Sequence, residues 1–257
     1  MIPLSRNEIH LWLAYYDEIE DWRMRLHQAL LDDAEQAQHL KFYFERDRRR
    51  YFATRVLVRT VLSRYAPVRP KDWIFATNAY GRPEIANAGI LVSDLSFNVS
   101  HTRSLIVLGV TRGRELGVDV ENVRARDVSI ELADRSFSPI EVAALAEVPL
   151  DLRQDRFFEY WTLKESYIKA RGMGLSIPLD KFSFRFPQDH AIEVSIDPEL
   201  EDRSERWQFW QLRPTPAYLV AICAERTEAG SPDVIVRKAV TMEIEEDLPV
   251  QFFRTSA

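Results

Sequence analysis

The segment Gly117-Val-Asp-Val-Glu121 alternates apolar and acidic residues with the two-residue period of a β-strand. If Val118 and Val120 enter a core, Asp119 and Glu121 emerge together on the opposite face. About forty residues later comes Trp161-Thr-Leu-Lys-Glu-Ser166, in a stretch rich in large apolar residues: Phe157, Phe158, Tyr160, Trp161, Leu163, Tyr167 and Ile168. That stretch reads as a helix with a buried face adjoining a charged one. On it Glu165 and Lys169 stand four residues apart and leave from the same side. Two carboxylates on one rigid strand, joined by a third from the helix, form a hard-oxygen donor set that suits Mg²⁺ better than a soft metal. Each piece also has a plain structural reading. An acidic strand face is usually solvated, and a Glu–Lys pair at this spacing is an ordinary surface pair worth about 0.2–0.5 kcal/mol. Only the combination points to chemistry.

At 257 residues, 46% hydrophobic and 29% charged, the chain has the make-up of a globular protein of one or two domains. Cys223 is the single cysteine. It sits in the apolar run 217–224, which reads as a buried strand, and with no second thiol there is no internal disulfide, as befits a reducing compartment. Residues 1–30 lack a basic stretch followed by an apolar one, and no run approaches a membrane span, so a cytoplasmic location and no membrane partner are expected. A net charge of −6 argues against nucleic acid as a partner. The charge is uneven: Arg46, Arg48, Arg49, Arg50, Arg55, Arg59 and Arg64 gather in one stretch, while Glu243–Asp247 is acidic. The arginines are either a solvated helix face with caps and ion pairs or a local anion site.

Periodicity predicts a strand over Ile9–Tyr15, a polar loop or short helix over Asp17–Ala29, and helical structure from Asp33 to Tyr65, closed by Pro67 and Pro70. Ile74–Thr77 is expected to be extended, with a turn at Tyr80-Gly-Arg-Pro83. Phe97–His101, Ser104–Thr111 and Glu115–Glu121 read as an antiparallel meander. Helices follow near Ile130–Ser136, Pro139–Ala146 and Leu152–Ala170, then strands near Phe182–Phe186, Ile192–Ile196, Trp207–Gln211 and Tyr218–Ala224. Ser138 fits an N-cap with Pro139 at N1 and Glu141 at N3, and Gly172 and Gly174 suit the end of the long helix. Phe252 and Phe253 are expected to cover a strand edge. The order of helix then strands in each half is compatible with two similar α+β lobes.

The ordered set Tyr80-Gly-Arg-Pro83, Phe97-Asn-Val-Ser-His101, Gly117–Glu121, Arg135–Glu141 and Phe157–Leu175 resembles the 4′-phosphopantetheinyl transferases of the two-lobed type that activate peptide synthetases. It covers about residues 40–186. The resemblance implies an α+β fold of two pseudo-symmetric lobes, residues 1–114 and 115–257, each an antiparallel sheet with a long packed helix, and an active site in the cleft between them. It implies coenzyme A as donor, Mg²⁺ as cofactor, and a serine of an acyl- or peptidyl-carrier domain as acceptor, with the enzyme a monomer. Carried over by position, Asp119, Glu121 and Glu165 match the metal carboxylates, and Glu165 and Lys169 the catalytic pair. Arg50, Arg82, Ser100 and His101, with Lys169, match contacts to coenzyme A. Trp161 is expected to pack beneath the carboxylates. Arg82 stands where relatives often have lysine, which changes the geometry of the charge. Where a pair of phosphate-facing lysines is expected the chain has Glu35 and Gln38, with Lys41 or Arg46 as candidate substitutes. Arg124, Arg126 and the Phe137 neighbourhood are candidates for carrier docking. Two other function classes use the same residues: a Mg²⁺-dependent phosphohydrolase acting on a nucleotide pyrophosphate, and a non-catalytic module that binds nucleotide or carrier.

Overall fold

A computed structural model of the chain describes residues 1–89, 92–125, 130–228, 230–240 and 245–256. These pack as two units: Met1–Thr77 with Pro83–Gly113 and Pro232–Pro249, and Asn78–Arg82 with Arg114–Ser231 and Val250–Ala257.

The chain opens with strand β1 (Glu8–Tyr15) and a short helix α1 (Asp21–Leu26). The helical stretch expected across Asp33–Tyr65 is two helices, α2 (Asp33–Lys41) and α3 (Glu45–Leu62). Between them Phe42 and Phe44 are extended, with ψ of 126° and 135°. Phe42 turns back onto Tyr51, ring centroids 5.2 Å apart, so aromatic packing breaks what periodicity alone would have continued. Strands β2 (Phe75–Thr77) and β3 (Pro83–Ile85) pair across the expected turn, and β4 (Leu95–His101) pairs with β5 (Leu105–Arg112). Phe52, Val56, Leu57, Val61 and Leu62 of α3 are buried in one apolar cluster with Trp12, Ala14, Ile106 and Leu108 from the sheet. Each of the Val, Leu, Ile and Phe side chains is worth about 1.5–3 kcal/mol of burial.

The next strand, β6 (Leu116–Asn122), does not extend the β4–β5 pair into a meander. It pairs instead with β10 of the second unit, Asp119 opposite Ala221 and Glu121 opposite Leu219. Helices α4 (Ile130–Ser136), α5 (Pro139–Glu147) and α6 (Arg153–Arg171) follow, then β7 (Phe182–Arg185), β8 (Ala191–Ile196), β9 (Trp207–Thr215) and β10 (Tyr218–Glu225). The expected cap is present: Ser138 and Glu141 form a reciprocal capping box with Pro139 at the helix start. Helix α6 ends on Gly172 in the left-handed conformation, φ 66°.

Four strands were not anticipated, β3 and three later ones. β11 (Asp233–Ala239) returns to lie parallel to β1, and β12 (Glu245–Asp247) pairs with β11 through Arg237 and Lys238. This accounts for part of the acidic segment; Glu243 lies outside the described residues. β13 (Phe252–Ser256) runs between β9 and β8, so Phe252 and Phe253 belong to a strand inside the sheet rather than to a cover over its edge. The first unit's sheet has the order β12-β11-β1-β5-β4 and the second β6-β10-β9-β13-β8-β7. Both are mainly antiparallel, each with one parallel pair made by a returning strand. The protein is therefore an α+β molecule of two lobes, each with a sheet and one long helix.

In the second unit α6 lies across β6 and β10. Phe158, Leu163 and Tyr167 are buried with Phe184, Phe209, Leu219, Ala221 and Cys223. Cys223 is fully buried, as its sequence context predicts, and burial pushes its thiol pKa up. Among the described residues no helix is long and apolar enough to cross a membrane.

Candidate active site

Strand β6 follows the alternation of its sequence. Val118 and Val120 are buried on one face, and Gly117, Asp119 and Glu121 share the other with Cys223, Ala221 and Leu219, their cross-strand partners. That second face meets α6. A methyl group placed on Gly117 would stand 2.0 Å from the carbonyl oxygen of Ser166 and 2.3 Å from the amide nitrogen of Ala170. The strand and helix backbones thus touch where only glycine fits.

This approach brings Asp119 into range of the charged side of α6. Lys169 Nζ donates to Asp119 Oδ1 at 2.6 Å, with Asp119 buried and the lysine one-quarter exposed. Glu165, one turn before Lys169, is half-buried. Burial pushes its pKa up, the charge of Asp119 pushes it further, and Lys169 opposes both. Asp119, Glu165 and Lys169 therefore share one electrostatic field. Glu121 lies on the same strand face, half-buried. The donors are all carboxylate oxygens and the negative charge exceeds the local positive charge, so the chemistry fits a hard divalent cation. Among the described residues no three His, Cys, Asp or Glu side chains already form a metal-binding group.

Trp161 is half-buried and stacks on Phe157, ring centroids 6.2 Å apart and planes 12° apart. Arg82 belongs to this unit and is largely committed. Its Nη1 donates to Glu115 Oε2 at 2.7 Å and to the Ala170 carbonyl at 3.1 Å. Asn78 Nδ2 donates to the Gly172 carbonyl at 2.8 Å, while Asn78 Oδ1 accepts from the amides of Tyr80 and Arg82. The Tyr80–Pro83 turn is thereby fastened to the C-terminal end of α6, a bracing role that the turn signal did not reveal.

In the first unit Arg50 lines a hollow of about 280 Å³ together with Tyr16, Asp17, Arg46, Asp47 and Arg103. Its Nη2 lies 3.0 Å from Asp47 Oδ1. Ser100 and His101 end strand β4, Ser100 buried and His101 exposed, and neither is among the lining residues of that hollow. The arginine stretch proves to be divided. Arg59 has no exposure and, with Arg55, holds the buried Glu35: Arg55 Nε donates to Oε1 at 2.6 Å and Arg59 Nε to Oε2 at 3.0 Å. Arg49 is tied to Asp21 and to the Tyr16 and Ile19 carbonyls. Arg46 and Arg50 remain at the hollow. Glu35 thus serves as a structural counter-ion where a phosphate-facing lysine was expected.

Of the docking candidates, Arg124 is exposed and 3.5 Å from Asp155, and Arg126 lies outside the described residues. Phe137 is buried against Phe157 and Tyr160, so its ring is not available to a partner. Sequence reasoning missed the Glu141–Lys164 pair entirely. Both side chains are fully buried, with Nζ and Oε2 2.8 Å apart. The available signal was a lysine on the face of α6 that also carries Phe157, Tyr160 and Leu163.

The family model described as the 4′-phosphopantetheinyl transferase superfamily matches residues 115–223, which span β6, α6 and β10. A second, described as the N-terminal part of a 4′-phosphopantetheinyl transferase, matches residues 18–112. The chain is 34% identical over 184 residues to the 4′-phosphopantetheinyl transferase Sfp of Bacillus subtilis (strain 168), covering 72% of this chain and 77% of that protein. It is 35% identical over 211 residues to the 4′-phosphopantetheinyl transferase HetI of Nostoc sp., covering 82% and 84%. A phosphopantetheinyl transferase of Thraustochytrium sp. matches at 27% identity over 88% of this chain and 81% of its own length. With relatives above 30% identity aligned over most of both chains and the acidic strand and lysine-bearing helix inside the matched region, this chain belongs to the 4′-phosphopantetheinyl transferase family.

Proposed function

We propose that the protein transfers the 4′-phosphopantetheinyl group of coenzyme A to a serine hydroxyl of an acyl- or peptidyl-carrier domain, releasing adenosine 3′,5′-bisphosphate. The observation that carries this reading is the grouping of Asp119, Glu165 and Lys169 where β6 meets α6, within the region matched by the superfamily. In such a transfer the protein contributes positioning and charge neutralisation more than covalent chemistry.

Asp119, Glu121 and Glu165 are assigned as the residues that would hold Mg²⁺, which when bound supplies positive charge to the pyrophosphate oxygens. Glu165 accepts the serine proton, directly or through a water. The serine oxygen forms the new bond to the phosphorus that carries pantetheine, and the bond to the departing phosphate of the bisphosphate breaks. Lys169, with its ammonium at the same site, neutralises that phosphate as its charge grows. Arg50, Ser100 and His101 are assigned to the nucleotide end of coenzyme A. Arg82 is assigned there too, in competition with its ion pair to Glu115. The proposal takes the chain as a monomer acting in the cytosol.

The test is intact-mass spectrometry of apo-carrier domains incubated with the protein, coenzyme A and Mg²⁺. A gain of one phosphopantetheine on the carrier supports the proposal. Release of bisphosphate without any carrier would replace transfer by hydrolysis, and binding with no turnover would leave only a recognition module.

A further inference from the structure

Glu141 near the start of α5 and Lys164 in the middle of α6 form an ion pair with no solvent exposure on either side chain, Nζ to Oε2 2.8 Å. The ammonium also donates to the carbonyls of Leu179 at 2.7 Å and Phe182 at 2.6 Å, which uses all three of its protons. The carboxylate is equally committed. Oε2 accepts from the Ser138 amide at 2.9 Å and hydroxyl at 3.0 Å, and Oε1 from the Phe184 amide at 2.8 Å. Three segments converge on these two charges: the start of α5, the middle of α6, and the entry into β7.

Such a pair is a poor device for stability alone. Removing each charge from water costs several kcal/mol, and apolar residues of similar volume often serve as well or better. Burial lowers the Lys164 pKa, opposed by Glu141. What a saturated buried pair provides is a single geometry, because every donor and acceptor is satisfied in only one arrangement. Lys164 immediately precedes Glu165. With 3.6 residues per turn, anchoring Lys164 inward fixes the angle at which Glu165 leaves α6 and, one turn on, that of Lys169. An apolar side chain at position 164 would remove one of the polar contacts that fix the rotation of α6, alongside those of Tyr167 with Asp202 and Gln211 with Thr162, and a small rotation would lengthen the 2.6 Å contact from Lys169 to Asp119.

We propose that Glu141 and Lys164 are positioning residues that set the rotational phase of α6 and so align Glu165 and Lys169 with Asp119. This inference rests on the proposed transferase reading for its functional consequence. The test replaces the pair by apolar residues, Glu141→Leu with Lys164→Met, beside the conservative variants Lys164→Arg and Glu141→Asp. The double variant should fold with a lowered thermal midpoint, because the Ser138 and Phe184 amides and the Leu179 and Phe182 carbonyls lose these partners. Its kcat for carrier modification should stay about ten- to a hundredfold low, the scale expected of sub-ångström to ångström misplacement, with little change in KM for coenzyme A. A refolded double variant with wild-type kcat would overturn the proposal, because the pair would then be packing only. If the double variant does not fold, the conservative variants decide. They keep the charges but shift them, and undiminished kcat in both would be equally fatal. Hydrogen exchange of the residue 165–170 amides gives a readout independent of turnover. Faster exchange confined to that segment is expected, and unchanged exchange in folded variants counts against the latch. Absence of transfer by the wild-type protein would overturn the functional reading instead, with the exchange result still deciding the latch.

Discussion

Lys169 Nζ lies 2.6 Å from Asp119 Oδ1 across a separation of fifty residues in the chain. The contact exists because Gly117, two residues before Asp119, lets the backbone of β6 touch that of α6. A bulkier residue there would lift the helix and carry Lys169 and Glu165 away from the strand.

Removing a charged group from this cluster is expected to abolish most of the activity. Asp119→Ala, Glu165→Gln and Lys169→Ala should each lower carrier modification by at least about two orders of magnitude, the scale lost with a key electrostatic group. Chelation of divalent cations should have a comparable effect, restored by added Mg²⁺. Intact-mass time courses at saturating coenzyme A measure all four, and near-normal rates in the Asp119 variant would refute the assignment.

Gly117→Ala should destabilise the second unit. The added methyl meets backbone atoms of Ser166 and Ala170, which no rotamer change can relieve, so a loss of about 1–3 kcal/mol is expected from overpacking. The thermal midpoint reports it. A midpoint equal to that of the wild type would show that α6 can shift at no cost.

Glu35→Gln tests whether that carboxylate is structural. It removes the carboxylate that Arg55 and the fully buried Arg59 share, leaving Arg59 with Asp32 as its remaining ion-pair partner. Breaking a buried pair by removing one member costs about 3–5 kcal/mol, readable as a lowered midpoint in urea. A variant of unchanged stability with altered affinity for coenzyme A would instead return Glu35 to the substrate site.

Stability should fall as the solution is acidified through the range set by His10. Burial first, and the charge of Arg237 second, depress its pKa from 6.5 to about 4. Its ring is 2.9 Å from the Tyr65 hydroxyl, which also accepts from Trp12 Nε1 at 2.7 Å. The unfolded chain binds a proton at His10 below pH 6.5 and the folded chain only near pH 4. Stability from this group is therefore complete above pH 6.5, is lost progressively as the pH drops, and is gone below about pH 4. The loss is about 3 kcal/mol at 1.36 kcal/mol per unit. Chemical denaturation of the wild type and His10→Phe at pH 7 and pH 5 reads about 2 kcal/mol of this loss, and parallel pH dependence in the two proteins would rule His10 out as the source.

Local pattern carried much of this molecule. The Val118–Asp119–Val120–Glu121 alternation, the Ser138 cap with Glu141, and the long helix ending at Gly172 each depend on neighbours within a few residues. So does the side that Glu165 and Lys169 share, because residues four apart on a helix must lie together. These features are therefore legible in order along the chain.

Other features depend on partners far away. β11 becomes a strand by pairing with β1, more than two hundred residues earlier, and β13 by inserting between β9 and β8. β6 joins β10 although β5 is its neighbour in sequence. Glu35 and Glu141 are acidic residues in helix first turns, where exposure is usual, yet both are buried because arginines or a lysine from distant turns meet them. The order of residues dictated which side chains could act together on one strand edge or one helix face. Which strand met which helix, and which charges were withdrawn from water, was settled only by three-dimensional packing, since a buried charge is tolerable only where the fold supplies its partner.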